Sequence, residues 1–305
     1  MNKNKQKITP YLWFDHQAEE AINFYTSLFN DSRIVAINRY PEGFEEGPLA
    51  GMTGKVIHAV FELAGYQFMA IDGGPLFKFT PAISFFVNCE TEAEIDGLWA
   101  ALSEGGEVAM PLQAYPFSPK FGWLQDKYGL SWQLNLAQSE PKITPFLLFV
   151  GEQDGRAETA VNDYTTLFAN AAISYLERFA AGEPIGTEGA VKQVAFTLHS
   201  QPFLAMDGGQ VHPFTFNEAI SFYVDCETQE EVDHFWYALS AHPEAEQCGW
   251  LKDKYGVSWQ IVPAALGKLM NDPDPEKSRR VMDAMLQMKK FEIEGLERAY
   301  KGIER

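Results

Sequence analysis

Cysteine is scarce in this chain of 305 residues, with only Cys89, Cys226 and Cys248 present. An odd number of widely spaced cysteines does not make a disulfide framework, so a small secreted scaffold held by disulfides is excluded. Free thiols are typical of reducing compartments. We therefore expect the protein to be cytoplasmic.

Long apolar runs are also missing. The chain contains no stretch of 18 apolar residues, so no membrane-spanning helix is predicted. The N-terminal sequence MNKNKQKITPYLWF is basic, but the apolar segment of about 7–15 residues that a signal peptide needs does not follow it. No secretory leader is predicted from this stretch.

Basic residues are too few to balance the acidic ones. The chain has 24 Lys and Arg against 42 Asp and Glu, which gives a formal net charge of −18. Such a surface repels nucleic-acid phosphates and anionic lipids, so neither nucleic acid nor membrane is expected as a partner. The 46% of hydrophobic residues is nevertheless sufficient for a packed core, which excludes a disordered chain.

The sequence contains a long internal repeat. Residues 82–103 and 219–240 are identical at 14 of 22 positions, and residues 122–133 (GWLQDKYGLSWQ) return at 249–260 with ten of twelve identical. The motif KITPYLWF at 7–14 returns as KITPFLLF at 142–149. A period of this size indicates whole domains and not a solenoid. We predict domains over 1–140 and 141–263, followed by a tail over 264–305.

Hydrophobic periodicity predicts an α+β class for both repeats. A strand at 8–14 precedes an amphipathic helix at 18–29, and a hairpin turns at Ala64-Gly65. A second helix covers 92–103, and a weak strand is predicted near 107–112. The order suggests that each domain contains two related modules. Residues 109–121, rich in proline and aromatics, are predicted to form a lid loop.

The tail after Pro263 is predicted to be helical. Asp274 is a candidate N-cap with Pro275 at the first helical position, and apolar residues continue at helical spacing to Gly302. A stripe of methionines at this spacing is usually core. The tail is therefore predicted to pack on the domains or on a partner subunit, and a homodimer through the tail stays open.

These repeats resemble a known superfamily. A βαβββ module used twice per domain is similar to the vicinal oxygen chelate, or glyoxalase/bleomycin-resistance, superfamily. The segments ITPYLWFDHQAEEAINFYTSLF, MAIDGGP and GWLQDKYGLSWQ resemble its PhnB-like branch, often labelled as similar to 3-demethylubiquinone-9 3-methyltransferase. The resemblance covers nearly the whole chain. It implies two tandem domains of paired modules that form a fused pseudo-dimer, each with a cup-shaped cavity.

The resemblance also implies positions for a divalent metal, held in metal-using members by His, Glu or Gln. The residues that match these positions are mostly unable to ligate: Pro10 and Pro145, Ala70 and Ala205, Ser84 and Ser221 (or Ala82 and Ala219), and Gln133 and Gln260. One amide oxygen does not hold a metal. We therefore expect no metal and no other cofactor, although the sequence does not exclude a divalent ion.

Polar and aromatic residues near the predicted cups are the candidates for ligand binding. They are Trp13, His58, Ser84, Trp132, Gln133, Gln193, Ser221, Trp259 and Gln260. His58 lies in a strand, and Gln193 is its repeat partner. Each could instead be a paired core group, a reading that we favour for His58. Gln133 and Gln260 could equally join domains by hydrogen bonds. No catalytic residue is assigned.

Two classes of function follow. The first is a metal-free protein that binds a small apolar or aromatic molecule in the cup. The alternative is a divalent-metal-dependent isomerase, lyase, dioxygenase or thiol transferase of the same superfamily. Methyl transfer is a third reading, but the chain has no glycine-rich loop with a following acidic residue, as expected for a nucleotide-like cofactor. Whether the protein is an enzyme is left open.

Overall fold

The computed structural model describes residues 6–40, 42, 51–183 and 186–303. The chain divides into two compact units. The larger unit comprises Pro10–Ile220, and the smaller unit comprises Met1–Thr9 with Ser221–Arg305. The α+β class is confirmed, since mixed sheets alternate with helices along the chain. Among the described residues, no helix combines the length and apolar character needed to cross a membrane.

The first module has the predicted order of one strand, one helix and three strands. Its elements are β1 (Ile8–Phe14), α1 (Ala18–Leu28), β2 (Arg33–Arg39), β3 (Val56–Leu63) and β4 (Tyr66–Asp72). β1 runs parallel to β4, while β3 lies antiparallel to both β4 and β2. The predicted turn at Ala64-Gly65 is confirmed, and both residues have the positive φ that a two-residue hairpin loop of type I′ requires.

The second and third modules form one eight-stranded sheet within the larger unit. The second contributes β5 (Ile83–Cys89), α2 (Glu92–Ser103), β6 (Glu107–Tyr115), β7 (Ser118–Gln125) and β8 (Ser131–Leu136). The third contributes β9 (Ile143–Phe149), α3 (Ala157–Leu167), β10 (Ala172–Arg178), β11 (Val191–Leu198) and β12 (Gln201–Asp207). The strand order is β10-β11-β12-β9-β5-β8-β7-β6. The antiparallel pair of β5 and β9 joins the two sequence repeats in one sheet, and residue 140 lies in the connection between β8 and β9.

The segment predicted to be a lid loop is a β-hairpin. β6 extends to Tyr115, β7 begins at Ser118, and only Pro116 and Phe117 lie between them. Backbone pairing of β6 with β7 therefore replaces the expected irregular loop. Prolines at the strand edge and a series of register shifts account for the weak strand signal in the sequence.

The smaller unit contains the fourth module and the tail. Its elements are β13 (Ile220–Cys226), α4 (Gln229–Leu239), β14 (Trp250–Lys252), β15 (Ser258–Pro263), α5 (Ala264–Met270), α6 (Pro275–Leu286) and α7 (Ile293–Lys301). β15 lies between β13 and β14. The predicted start of α6 is confirmed, because the Asp274 side chain accepts a hydrogen bond from the amide of Glu276. The predicted helical tail is confirmed, and it consists of three helices, since the chain leaves α6 at Leu286 and begins α7 at Ile293.

A buried carboxylate holds the second module against the first helix. Asp126 Oδ2 accepts hydrogen bonds from Tyr25 Oη at 2.7 Å and Trp132 Nε1 at 2.9 Å. Its Oδ1 accepts the amides of Tyr128 and Leu130 in the turn before β8. Burial raises the pKa of Asp126. These hydrogen bonds lower it, but the effect of burial is larger. One side chain thus organises a helix, a turn and a core tryptophan.

We predict that Asp126→Ala strongly destabilises the protein. The substitution leaves four donors without their acceptor, three of them buried, and each buried donor costs about 1–3 kcal/mol. The expected loss in the free energy of unfolding, measured by denaturant titration, is at least ~3 kcal/mol. Asp96→Ala is the control, because Asp96 is exposed and forms a surface ion pair with Lys120, so its loss should be below ~1 kcal/mol. Equal losses for the two variants would contradict the role of Asp126.

Candidate functional site

The eight-stranded sheet has one face that packs against α2 and α3 and an opposite face that they leave uncovered. Strand alternation places every second residue on this opposite face, which we call the inner face. Cross-strand pairing brings its residues into register, since Phe86 and Trp123 both lie opposite Gln133. Residues of the inner face are Ser84, Phe86, Trp123, Ser131, Gln133, Thr144, Phe146, Leu148, Gln193, Leu204 and Met206.

Two polar pairs, one of them fully buried, lie at the centre of the inner face. Gln133 donates from Nε2 to Ser84 Oγ at 2.9 Å, and both side chains are buried. Beside them, the indole of Trp123 donates to Ser131 Oγ at 2.8 Å. The first pair fixes the orientation of the Gln133 amide, because its nitrogen is directed to Ser84. The structure thus brings Ser84 and Gln133 together.

Apolar side chains surround these pairs. Phe146, Leu148 and Val150 form a buried cluster on β9 and its continuation. Partly exposed apolar side chains pack around the cluster: Phe86, Trp123, Leu204, Met206 and Phe214. The inner face therefore combines an apolar surface with a few fixed polar groups, which is the composition of a small-molecule site. Two surface concavities of the larger unit lie elsewhere, and neither is lined by a predicted site residue.

Gln193 lies on the inner face but away from the central pairs. It belongs to β11, and three strand spacings separate β11 from β5. This corresponds to roughly 14 Å. Its backbone pairs with Glu177 of the edge strand β10. A ligand that contacts both Gln193 and Gln133 would have to span several strands.

Trp132 lies on the opposite side of the sheet from its neighbour Gln133. It is fully buried, donates its indole N–H to Asp126, and packs against Tyr25 and Phe29 of the first module. Its side chain packs on the helix side of the sheet, away from the inner face. The sequence prediction grouped Trp132 with Gln133, but alternation along β8 sends the two side chains to different faces.

His58 and Trp13 belong to the first module. His58 Nδ1 lies 3.2 Å from the hydroxyl of Tyr11, and the two rings are in contact. Burial lowers the pKa of His58, which favours the neutral imidazole. In the third module Phe146 and Gln193 occupy the equivalent positions, so the sequence repeat does not preserve this pair. Tyr11 thus serves as the structural hydrogen-bond partner that a core histidine is expected to have.

Trp13 is held by the glycine turn that follows β4. Its indole N–H donates to the carbonyl of Gly74 at 2.8 Å, and a Cβ added to Gly73 would lie 2.1 Å from the ring. The amides of Gly73 and Gly74 donate to Phe14 and Asp15. The glycines thus serve the turn and the close approach of the indole, and their amides are used within the chain.

The remaining candidates lie in the smaller unit. Gln260 donates to Ser221 Oγ at 2.8 Å, which repeats the geometry of Gln133 and Ser84. Trp259 is buried and donates to Asp253, as Trp132 does to Asp126. The two repeats have therefore kept the same buried polar framework in separate units.

The positions that the superfamily uses for a metal do not carry a suitable donor set. Pro10 and Ala70 lie on the helix side of their strands, and the residue that pairs with Tyr11 on the other side is Met69. Ser84 and Gln133 offer two neutral oxygens, already linked by a hydrogen bond. Within the described residues, no group of three or more His, Cys, Asp or Glu side chains is placed to hold a metal ion. The residues present do not fit the superfamily's metal.

The repeated cysteines are also unsuited to chemistry. Burial raises the pKa of Cys89 and that of Cys226 to about 12 each. A thiol with such a pKa is almost entirely protonated near neutral pH, so neither residue is a nucleophile. Their place before α2 and α4 is structural, and the caps of these helices are the hydroxyls of Thr91 and Thr228.

Sequence reasoning missed Trp123, Phe146 and Phe214 as members of the site. The repeated GWL motif contains Trp123, and its alternation with Leu124 could have indicated a face shared with Gln133. Phe146 reaches the same face only through the pairing of β9 with β5. No local pattern predicts that pairing.

A family model described as 3-demethylubiquinone-9 3-methyltransferase matches the chain twice, over residues 6–135 and 141–262. The two matches follow the two sequence repeats and cover most of the chain. No curated protein matches the sequence significantly.

Several solved structures are similar to parts of the chain or to most of it. A PhnB protein from Bacillus cereus is 57% identical over 43% of this chain and 100% of its own, with a TM-score of 0.40. A protein from Pseudomonas aeruginosa is 28% identical over 44% of this chain and 100% of its own, with a TM-score of 0.38. Glyoxalase I from Zea mays is 9% identical over 83% of this chain and 92% of its own, with a TM-score of 0.51. The last likeness concerns the fold alone.

We predict that His58→Gln reduces the loss of stability at acidic pH. The pKa of His58 is lower in the folded state than the value of about 6.5 for an exposed histidine, so the unfolded state binds the proton more tightly. The stability that neutral His58 contributes is therefore fully present above about pH 6.5, and it is lost as the pH falls through the pKa of the folded state. The melting temperature of the variant should fall less than that of the wild type between about pH 7.5 and pH 5. His16→Gln, at an exposed position, is the control. Identical pH profiles for His58→Gln and wild type would show this prediction to be wrong.

Proposed function

This chain belongs to the 3-demethylubiquinone-9 3-methyltransferase family, a PhnB-like branch of the vicinal oxygen chelate superfamily with two repeats in tandem, and on that premise we propose that it binds a small neutral molecule on the inner face, without the superfamily's metal. The ligand class is apolar or aromatic. The observation that carries the proposal is the buried pair of Gln133 and Ser84 within a partly exposed apolar surface.

The chemistry of this surface favours an uncharged ligand with one polar group. The described inner face presents aromatic and aliphatic side chains, which favour a molecule that loses water-exposed apolar area on binding. The Gln133 amide is held by Ser84, so its orientation is set before a ligand arrives. Trp123 and Phe146 lie with ring centroids 6.5 Å apart and supply aromatic edges and faces next to the amide.

The alternative is a metal-dependent enzyme of the superfamily, such as an isomerase, lyase, dioxygenase or thiol transferase. It would need a donor set other than Ser84 and Gln133, because these two residues do not supply charged or imidazole ligands. No observation favours it over binding. Methyl transfer, which the family description names, would require S-adenosylmethionine. We expect an equilibrium titration with that compound to show no binding, and saturable binding would replace our proposal with methyl transfer.

We also propose a cytoplasmic location and the three-part division of the chain. The location is supported by the three free cysteines, two of them buried, which suit a reducing compartment. The division into 1–140, 141–263 and 264–305 is supported by the sequence repeat and by the change to a helical tail after Pro263. The fused pseudo-dimer belongs to the same proposal. Homodimerisation through the tail is the alternative, and a measurement of the molecular mass in solution would distinguish it from a monomer.

We predict that Gln133→Leu weakens binding of a neutral apolar probe. N-phenyl-1-naphthylamine is suitable, because its fluorescence reports transfer to an apolar site and its single N–H can donate to the amide oxygen. Loss of one buried hydrogen bond, worth about 1–1.5 kcal/mol, should raise the dissociation constant roughly tenfold.

The same chain offers a matched control for this experiment. Gln260→Leu removes the equivalent hydrogen bond to Ser221 in the smaller unit and should leave the affinity unchanged. The melting temperatures of both variants would show whether they are equally folded. Absence of saturable probe binding to the wild type, or equal weakening by both substitutions, would contradict the proposal.

A further inference from the structure

The strands of the first module also have a side that faces away from their helix. Burial alternates along β3: Ala59, Phe61 and Leu63 are buried on the side of α1, whereas His58, Val60 and Glu62 are partly exposed. Backbone pairing brings residues of the second kind together across β1, β2, β3 and β4. We call this side the first-module face, and its residues are Tyr11, Trp13, Asn38, His58, Val60 and Met69.

The structural contact of His58 uses only one of its two ring nitrogens. Nδ1 lies 3.2 Å from the hydroxyl oxygen of Tyr11. Nε2 has no hydrogen-bond partner among the residues that the structure describes. It is not one of the enclosed polar atoms of the described chain that lack a partner, so it reaches solvent. A molecule that lies on the first-module face can therefore contact Nε2.

The contact with Tyr11 decides which nitrogen of His58 carries the proton. The Tyr11 hydroxyl is the donor in this pair, because a phenol O–H donates readily to the unprotonated nitrogen of a neutral imidazole. With Nδ1 as the acceptor, the proton of the neutral ring is on Nε2. Burial lowers the pKa of His58, which keeps the ring neutral. Nε2 therefore presents an N–H donor to the first-module face.

The third module does not repeat this arrangement. At the positions of Tyr11, His58 and Asn38 it has Phe146, Gln193 and Glu177. A carboxylate beside His58 would favour the charged imidazolium, in which both nitrogens are donors. The neutral Asn38 lies beside His58 instead, since the two residues pair across β2 and β3. All three differences thus favour a neutral, oriented imidazole in the first module.

Apolar side chains accompany this donor on the first-module face. Val60 and Met69 are paired neighbours across β3 and β4. Trp13 packs edge to face against Phe77, with ring centroids 5.1 Å apart. One oriented donor among apolar and aromatic side chains is the composition of a small-molecule site. The formal net charge of −18 disfavours an anion, so the chemistry favours an uncharged ligand with a hydrogen-bond acceptor.

We propose that the first-module face is a second ligand site, which binds a small uncharged molecule whose carbonyl oxygen accepts a hydrogen bond from His58 Nε2. Tyr11 is a positioning residue, because it sets the tautomer of the imidazole through Nδ1. The two sites differ in polarity: the inner face offers the amide oxygen of Gln133 to a donor, whereas the first-module face offers a donor to an acceptor. The second site does not depend on ligand binding at the inner face.

Nuclear magnetic resonance of the His58 ring tests the donor directly. In protein with isotope-labelled histidine, long-range proton–nitrogen correlations distinguish a protonated ring nitrogen from an unprotonated one, and His58→Gln identifies the signals by their loss. Above the pKa of an ordinary histidine, the wild type should show the tautomer protonated at Nε2. Tyr11→Phe should give a mixture of both tautomers, because Nδ1 loses its donor. A wild-type ring protonated mainly at Nδ1 would overturn the proposal.

A fluorescent ketone tests binding at the first-module face. The probe 6-propionyl-2-dimethylaminonaphthalene is uncharged and has one carbonyl but no N–H or O–H donor. His58→Leu should raise its dissociation constant roughly tenfold, because the ligand loses its hydrogen bond. His58→Gln, whose amide can still donate, should keep the dissociation constant within about threefold of the wild type. Gln133→Leu is the control and should leave it unchanged, since Gln133 lies on the inner face of the eight-stranded sheet.

The outcomes separate this site from the inner face. Melting temperatures show whether the variants are equally folded, and 2-dimethylaminonaphthalene, which lacks the carbonyl, should bind wild type and His58→Leu alike. Absence of saturable ketone binding to the wild type, or equal affinities of wild type and His58→Leu, would overturn the proposal. Weakening by Gln133→Leu alone would also overturn it, because the ketone would then lie on the inner face. Failure of N-phenyl-1-naphthylamine to bind would contradict only the site at Gln133.

Discussion

The buried carboxylate of Asp126 is the constraint on which the rest of the larger unit depends. It accepts hydrogen bonds from a tyrosine of the first helix, two amides of a turn and the indole of Trp132. Because Trp132 is fixed on the helix side of β8, alternation sends the next residue, Gln133, to the inner face. The position of the proposed ligand-binding amide is therefore set by an interaction on the other side of the sheet. Asp253 and Trp259 repeat the arrangement before Gln260.

The two repeats keep this framework and differ in the surfaces that it presents. The inner face of the second module ends in Asn135, which bonds to Asn88, and in the aromatic hairpin of β6 and β7. The corresponding face of the fourth module ends in Val262 and is covered by the tail. Duplication followed by change at surface positions explains how one scaffold presents a partly exposed apolar face in one unit and a face covered by the tail in the other.

Local patterns predicted much of the fold but little of the pairing. The strand at 8–14, the hairpin at Ala64-Gly65 and the cap at Asp274 follow from alternation, turn chemistry and side-chain hydrogen bonding, all of which act over a few residues. The join between β5 and β9 depends on contacts about 60 residues apart, and no local signal encodes it. Ser84 and Gln133 were candidates because the family resemblance implied their positions, whereas nothing in the sequence singled out Phe146. The break between α6 and α7 was missed because the docking of Phe291 overrides helix propensity there.

The proposed binding of a small neutral molecule rests on a donor set, Ser84 and Gln133, that does not hold the superfamily's metal. Elemental analysis of untagged protein after exhaustive dialysis, followed by thermal melting with added zinc, nickel, manganese or iron, tests it most directly. We expect no stoichiometric transition metal and no rise in melting temperature with any of the four ions. About one tightly bound transition metal per chain would contradict it, since Ser84 and Gln133 could not be the ligands and the metal-dependent alternative would then explain the protein better.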